Sequence, residues 1–390
     1  MRHDDWIVAP GWEPVATVFG ALIEADDLGG AAVAVHADGK LVLDAWGGRA
    51  DAVRDRDWHG DTPTVVFSCT KGMLSILVAK LVESGAVRYE QPVSELWPEF
   101  AAAGKGEVRI ADVLSHRAGL PAFDVPIGFE ELVGGASLPG LLARQTPRWR
   151  PSDGYAYHPL TFGWLVGEIV RRATEETIGR YFTKTLADPL GLDAWIGAPP
   201  HVLARVAHVK TAPSQVAASV GLLERAESGD ALPLFAMTLG GALPPSLVGS
   251  GAGADAGLND PRAQAAEIPG AGGIATARAL SALWSSTVVG THEVSALGAG
   301  VLAEALAPAS EGPQLVAGGA PYPRFGMGFQ LTSDAQPYLT ARSFGHDGAG
   351  GQLAFADPDH GVGFAYVTST LVGSGDDRGR RLVEAVRSVL

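Results

Sequence analysis

The chain has 390 residues, longer than most single-core domains, so one large domain or two closely joined ones are expected. Hydrophobic residues make up 46% of it, which excludes a disordered chain and supports a well-buried core. A formal net charge of −14, with no cluster of Lys and Arg, argues against nucleic acid and anionic membrane as partners.

The opening MRHDDWIVAPGW lacks the apolar region of a signal peptide, and no stretch reaches the roughly 18 apolar residues of a membrane span, so a cytoplasmic protein is expected. WEPVATVFGALIEADDL then spaces Val15, Val18, Phe19, Leu22 and Ile23 along one helical face. AAVAVHADGKLVLDAWGG reads as two β-type runs joined by Asp38-Gly39, a hairpin signal. A second helix is expected from Ser68 to about Ser84, with Gly85 as its C-terminal cap. The middle of the chain holds further helical stretches: IADVLSHRAG, TFGWLVGEIVRRAT, TIGRYFTKTL and TARALSALWSST. Loops rich in Gly and Pro separate them, and GGALPPSLVGSGAGADAGL among these is expected at the surface and partly mobile. Strand character returns in RFGMGFQLTS and in GGQLAFADPDHGVGFAYVTST, a hairpin turning at Asp357-Pro358-Asp359, before a terminal helix GRRLVEAVRSVL. Strands at both ends with helices between predict one sheet assembled from the two termini and a helical region inserted over it.

Chemistry concentrates first in VVFSCTKGMLSILVAKLVESG, where Ser68 and Lys71 stand one helical turn apart. A serine hydroxyl is a poor nucleophile near neutral pH unless a base lies within hydrogen-bond reach. Burial beneath Met73, Leu74 and Leu77, together with the positive end of the helix dipole, would favour the neutral amine of Lys71. The same helix start offers backbone N–H groups to a developing oxyanion. Ser-x-x-Lys recurs by chance, with Ser68 a mere helix cap and Lys71 in water, so further motifs must decide.

Three segments follow: VLSHRAGLP, RWRPSDGYAYHPLTFGWLVGEIVRR and SFGHDGAGGQLAFADPDHGVGFAYV. With the Ser-x-x-Lys helix, in this order and spacing, they resemble the serine β-lactamase/penicillin-binding-protein superfamily, its class C-like branch, and within it the family VIII carboxylesterases. The resemblance covers most of the chain. It implies an α+β, β-lactamase/transpeptidase-like fold: an antiparallel sheet flanked by helices from residues 1–85 and 312–390, with a mainly helical domain at 86–311. It further implies Ser68 as acyl-accepting nucleophile, Lys71 as its base, and Tyr157 as a phenolate that shuttles a proton to the leaving alcohol. The third motif reads His346-Asp347-Gly348 where β-lactamases carry Lys-Thr-Gly, and the N–H groups of Ser68 and Ala349 would form the oxyanion hole. His346, Asp347, Gly348, His158 and His116 are expected to line the cleft, with His158 and Asp347 either contacting substrate or holding the loop.

Two departures narrow the expected substrate. Where class C β-lactamases place an asparagine two positions after the tyrosine, this chain has Pro159, which cannot hold an amide. His346 is at best partly charged, and Asp347 beside it would repel an anionic antibiotic. A serine esterase acting on small neutral esters is therefore expected ahead of a β-lactamase, D-amino-acid peptidase, amidase or acyltransferase of the same superfamily. A catalytically silent recognition domain is the rival from another class. Cys69 is the only cysteine, so no intrachain disulfide forms, and it is expected to face the core rather than react. Tyr155 competes with Tyr157 for the shuttle role, and the Thr161, Gly163-Trp164 spacing favours Tyr157. His116 reads better as a structural hydrogen-bonding residue than as a base. No His-Glu-x-x-His, Cys-x-x-Cys or EF-hand spacing occurs and FGMGF is not a dinucleotide fingerprint, so no metal or cofactor is expected, while the absence of Gly-x-Ser-x-Gly disfavours an α/β-hydrolase.

Overall fold

The computed structural model describes residues 5–25, 29–249, 255–316, 318–373 and 375–390. Nine strands form one antiparallel sheet: β1 (Ile7–Val8), β2 (Gly30–Ala37), β3 (Lys40–Asp51), β4 (Arg56–Asp57), β5 (Arg324–Phe325), β6 (Gln330–Leu331), β7 (Phe344–Gly348), β8 (Gln352–Asp357) and β9 (Val362–Thr368). Their spatial order is β1-β3-β2-β9-β8-β7-β6-β5, with β4 paired to β3. The two halves of the chain join where β2 meets β9, Ala34 opposite Ala365 and Val33 opposite Tyr366. The β2–β3 hairpin turns at Asp38 and Gly39, whose φ values of 48° and 74° fit the tight turn that an Asp-Gly pair favours.

Side chains alternate across a strand, so the sheet presents two unlike faces. Val33, Val35, Leu353, Phe355, Phe364 and Tyr366 share the outer face with two helices, α1 (Glu13–Ala25) and α5 (Arg378–Arg387). α1 buries Val15, Phe19, Leu22 and Ile23 there, four of its five periodic residues, while Val18 stays half-buried. The inner face carries small residues, Ala32, Ala34, Ala354, Ala356 and Ala365, and joins the larger core. Small residues let helices approach closely: a Cβ at Gly363 would come within 2.2 Å of the Ser281 carbonyl oxygen on the inner helix Ala277–Ser285.

The central helix, Cys69–Glu83, is apolar almost all round and buries every residue from Cys69 to Ala79. It ends as its sequence predicts. Gly85 has φ of 74°, its N–H donates to Val82 O at 2.9 Å, and the Ala86 N–H donates to Leu81 O at 2.9 Å, a Schellman cap.

One expectation is refined and two change. RFGMGFQLTS is two short strands, because Gly326 packs against the Ala305 carbonyl and Gly328 has φ of 83°. The helix expected in IADVLSHRAG spans only Ile110–Leu114, and His116, with φ of 62°, turns the chain away. GGALPPSLVGSGAGADAGL is not a surface loop throughout, since Leu243, Leu247, Val248 and Leu258 are buried. The Leu258 N–H donates to Leu247 O at 3.0 Å, and Asn259 clamps both backbone groups of Val209, which holds the segment inward. Residues 250–254 of that loop lie outside the described residues. Among the described residues no helix is long and apolar enough to cross a membrane.

Candidate active site

A short strand, Thr64–Val65, feeds a tight turn that delivers Ser68 to the mouth of the central helix. Phe67 holds φ of 45° in this turn, a left-handed conformation that costs energy in a non-glycine residue and so must be held by its surroundings. The holding bonds run to Gly273: the Val66 N–H donates to its carbonyl at 2.8 Å, and its own N–H donates to Thr70 Oγ1 at 2.9 Å. Ser68 makes no side-chain cap bond, so its hydroxyl is free for other partners.

Those partners are the two residues expected from sequence. Lys71 Nζ lies 2.9 Å from Ser68 Oγ, and Tyr157 Oη donates to the same oxygen at 2.9 Å. Lys71 also donates to the carbonyl of Gly270 at 2.6 Å. Lys71 is wholly buried, whereas Ser68 and Tyr157 stay partly open above it. Burial lowers the amine of Lys71 to about 7, with Asp347 and Cys69 pulling weakly the other way. Near neutral pH a large fraction of it is therefore unprotonated. Desolvation moves the Tyr157 phenol in the opposite direction, well above its ordinary value. This corrects the phenolate expected from the resemblance: the resting tyrosine is neutral and acts as a donor.

The third motif closes over the turn from β7. A Cβ at Gly348 would lie 2.6 Å from Val66 O and 3.2 Å from Cys69 Sγ, so only glycine lets the strand come this close. Ala349 follows at the strand end. Among the described residues, neither its N–H nor that of Ser68 donates to a protein acceptor, which leaves both amides free. Cys69 turns into the core and donates to His346 O at 3.2 Å, and burial raises its thiol well above normal.

The histidines take supporting rather than cleft-lining positions. His158 is wholly buried; its Nδ1 donates to Ala156 O at 2.6 Å and its Nε2 accepts from the Leu120 N–H at 3.0 Å. Both ring nitrogens are thus spent on backbone, so His158 holds the loop and does not line the cleft. His116 is likewise buried, accepts from the His158 N–H at 3.2 Å, and packs 4.8 Å from the Tyr157 ring, centroid to centroid. It supports the tyrosine from below rather than facing substrate. His346 is buried too, and desolvation lowers it to about 3, which makes it neutral rather than partly charged. Its Nδ1 donates to Asp347 O at 2.7 Å. Asp347 itself stays partly exposed, with 45% of its side chain open to solvent, and desolvation pushes its carboxyl upward.

Tyr155 is excluded as the shuttle. Its hydroxyl lies 2.8 Å from Gly312 O and 2.9 Å from Pro323 O, well anchored to a distant loop. Sequence reasoning missed Gly270 and Gln330, whose Oε1 accepts from the Asp347 N–H at 3.1 Å and from Tyr338 Oη at 3.1 Å. Neither carries a motif of its own. Among the described residues no group of three His, Cys, Asp or Glu is placed to hold a metal ion.

A two-faced antiparallel sheet with a buried Ser-x-x-Lys helix packed on its inner face defines a class, the β-lactamase/transpeptidase-like fold. The chain belongs to the β-lactamase family, whose pattern it matches over residues 15–387, and so to the serine hydrolases of esterase/β-lactamase type. It is 32% identical over 385 residues to the esterase/β-lactamase LipL of Mycobacterium tuberculosis, covering 93% of this chain and 82% of that one. A family VIII carboxylesterase structure superposes with a TM-score of 0.86 at 30% identity, over 98% of this chain and 99% of that one. A penicillin-binding protein homologue from Caulobacter crescentus gives 0.81 at 32% identity, over 99% and 100%.

Proposed function

We propose that the protein is a cytoplasmic serine carboxylesterase of the family VIII kind, hydrolysing short-chain neutral esters through an acyl-enzyme on Ser68. The observation that carries this reading is the chain Lys71 Nζ, Ser68 Oγ, Tyr157 Oη, linked at 2.9 Å on each side with the amine lowered to about 7. In the first step Ser68 Oγ attacks the ester carbonyl carbon while its proton passes to Lys71 Nζ. The carbonyl oxygen becomes an oxyanion, held by the N–H groups of Ser68 and Ala349, an arrangement typically worth about 3–4 kcal/mol per donor. The C–O bond to the alcohol then breaks. Tyr157 hands its proton to the departing oxygen and is reprotonated from Lys71. Water attacks the acyl-enzyme by the same relay run again, releasing the acid and free Ser68.

A neutral ester is favoured over an anionic β-lactam by His346 and Asp347. The first offers no positive charge and the second presents a carboxylate to the cleft. Turnover of p-nitrophenyl butyrate and of a chromogenic cephalosporin, with intact-mass labelling by a phosphonate, tests the reading. Ester turnover and a single adduct, both lost in folded Ser68→Ala, are expected. Rapid cephalosporin turnover with negligible ester turnover would hand the site to β-lactamase chemistry. Absence of any adduct on folded protein would favour a silent recognition domain.

A further inference from the structure

Tyr157 lies in an irregular stretch, residues 154–158, between the single 3-10 turn Pro151–Asp153 and the helix Thr161–Thr174. No helix or ladder orders such a stretch, so each of its backbone groups needs a partner of its own. His116 supplies two from the buried side. The Ala156 N–H donates to its carbonyl at 3.2 Å, and the His158 N–H donates to its Nδ1 at 3.2 Å. Further partners come from residues 312–315, far along the chain. The Tyr157 N–H donates to Gln314 Oε1 at 2.8 Å, and the Leu315 N–H donates to Tyr155 O at 2.8 Å. The Tyr155 hydroxyl, 2.8 Å from Gly312 O, pins the start of the same segment. A Cβ at Gly154 would come within 3.0 Å of Leu315 Cγ, so 312–315 lies directly against the stretch that it holds.

The ring of Tyr157 has apolar company on its faces: Phe325 stacks at 6.0 Å with 17° between planes, and His116 packs at 4.8 Å. Such contacts are shallow and limit tilting more than sliding, whereas a hydrogen bond weakens steeply with distance and angle. We propose that Gln314 is a positioning residue for proton donation: its amide oxygen fixes the Tyr157 backbone, and with it the reach of the phenol towards the departing alcohol. This role rests on the donor function proposed for Tyr157. Gln314 and Tyr157 are both half-buried, so water can replace a lost acceptor at the Tyr157 N–H. Removing the acceptor should therefore loosen the donor and leave the fold intact.

Ethyl butyrate and p-nitrophenyl butyrate test it, because they form the same acyl-enzyme and differ only in the leaving group. Ethoxide is too basic to depart without a proton, whereas p-nitrophenolate leaves unaided. In the whole protein, Gln314→Leu is expected to lower kcat/KM about tenfold or more for ethyl butyrate and less than about threefold for p-nitrophenyl butyrate. Gln314→Glu keeps an oxygen acceptor and is expected to return the ethyl ester to within about threefold of wild type. Tyr157→Phe, read on the same two esters, separates the role of Gln314 from that of Tyr157, and should show the same split in larger measure. With that split present, an equal loss on both esters in folded Gln314→Leu, no loss on either, or no recovery in Gln314→Glu would overturn the positioning role. Without it Tyr157 is not the donor, and the role of Gln314 falls with it.

Discussion

Lys71 sets the pH dependence. In the unfolded chain a lysine ionises near ~10.4, and burial lowers Lys71 to about 7, so the folded state prefers the neutral amine. Activity that needs this amine should rise with pH through about 7 and then level off, as read from kcat/KM. Asp347 pulls that value upward by favouring the ammonium, so Asp347→Thr should shift the rising limb to lower pH. Plateau ester turnover should stay within about tenfold, since no proton transfer is assigned to the carboxylate. A limb that stays put or moves upward would remove Asp347 from the electrostatics of the site. The stability sign follows from the same shift. Between about pH 7 and ~10 the unfolded state binds the extra proton, so the wild type should gain about 1.4 kcal/mol per pH unit relative to Lys71→Met, measured by urea unfolding at pH 7.5 to 9.5. Equal slopes would mean that Lys71 is charged in the fold. Ser68 and Lys71 were legible in the sequence because residue type and helical spacing together specify the contact, whereas Tyr157 was picked out by the family resemblance alone. The Gly270 carbonyl was not, since every residue has one and nothing in the chain's order brings position 270 to position 71. His158 could not be assigned between substrate contact and loop support for a related reason, since its partners are backbone atoms of Leu120 and Ala156; His116 has the structural hydrogen-bonding role read for it, accepting from the His158 N–H.

Helices were readable from apolar spacing, as in Glu13–Ala25 and Thr161–Thr174, whereas two-residue strands such as β5 and β6 carry too few residues to show a period. What spacing does not reveal is how closely elements approach. Gly163 and Gly167 sit one turn apart on one helix, yet their surroundings differ. A Cβ at Gly163 would overlap Gly270 N at 2.0 Å and Pro269 C at 2.4 Å, both backbone atoms that cannot swing aside. At Gly167 the nearest atom would be Pro269 Cγ at 3.6 Å, an ordinary contact. Gly163→Ala should therefore destabilise the protein by about 1–3 kcal/mol and lower kcat, because the segment pushed away holds Lys71. Gly167→Ala should be neutral or stabilising by up to about 1 kcal/mol, since alanine is the better helix former. Thermal melts and ester kinetics on the pair check this. Equal behaviour of the two variants would show that the helix and the Gly270 segment are not in the contact described.

The whole molecule divides its work between the two faces of the sheet. Large side chains on the outer face build a core with α1 and α5, while small ones on the inner face admit the helices that carry the chemistry. The alternation was visible in AAVAVHA, QLAFAD and VGFAYVT, but which face would hold the site was not, because that depends on the helices from the middle of the chain. If this division holds, stability and catalysis can be changed separately. Leu382 on α5 is wholly buried in the outer core, with Val15, Phe19 and Phe355 in the same cluster. Leu382→Ala leaves a cavity there and should cost about 2–5 kcal/mol, seen as a lower unfolding midpoint with unchanged m-value. The sheet stands between that cavity and Ser68, and its backbone ladder resists bending because strands β2, β9 and β8 are paired along nearly their full lengths. Well below the melting temperature, kcat/KM for p-nitrophenyl butyrate should accordingly remain within about twofold of wild type. A parallel loss of activity in protein that is still fully folded would mean that the outer core positions the Ser68 turn through the sheet, and that the two faces act as one unit.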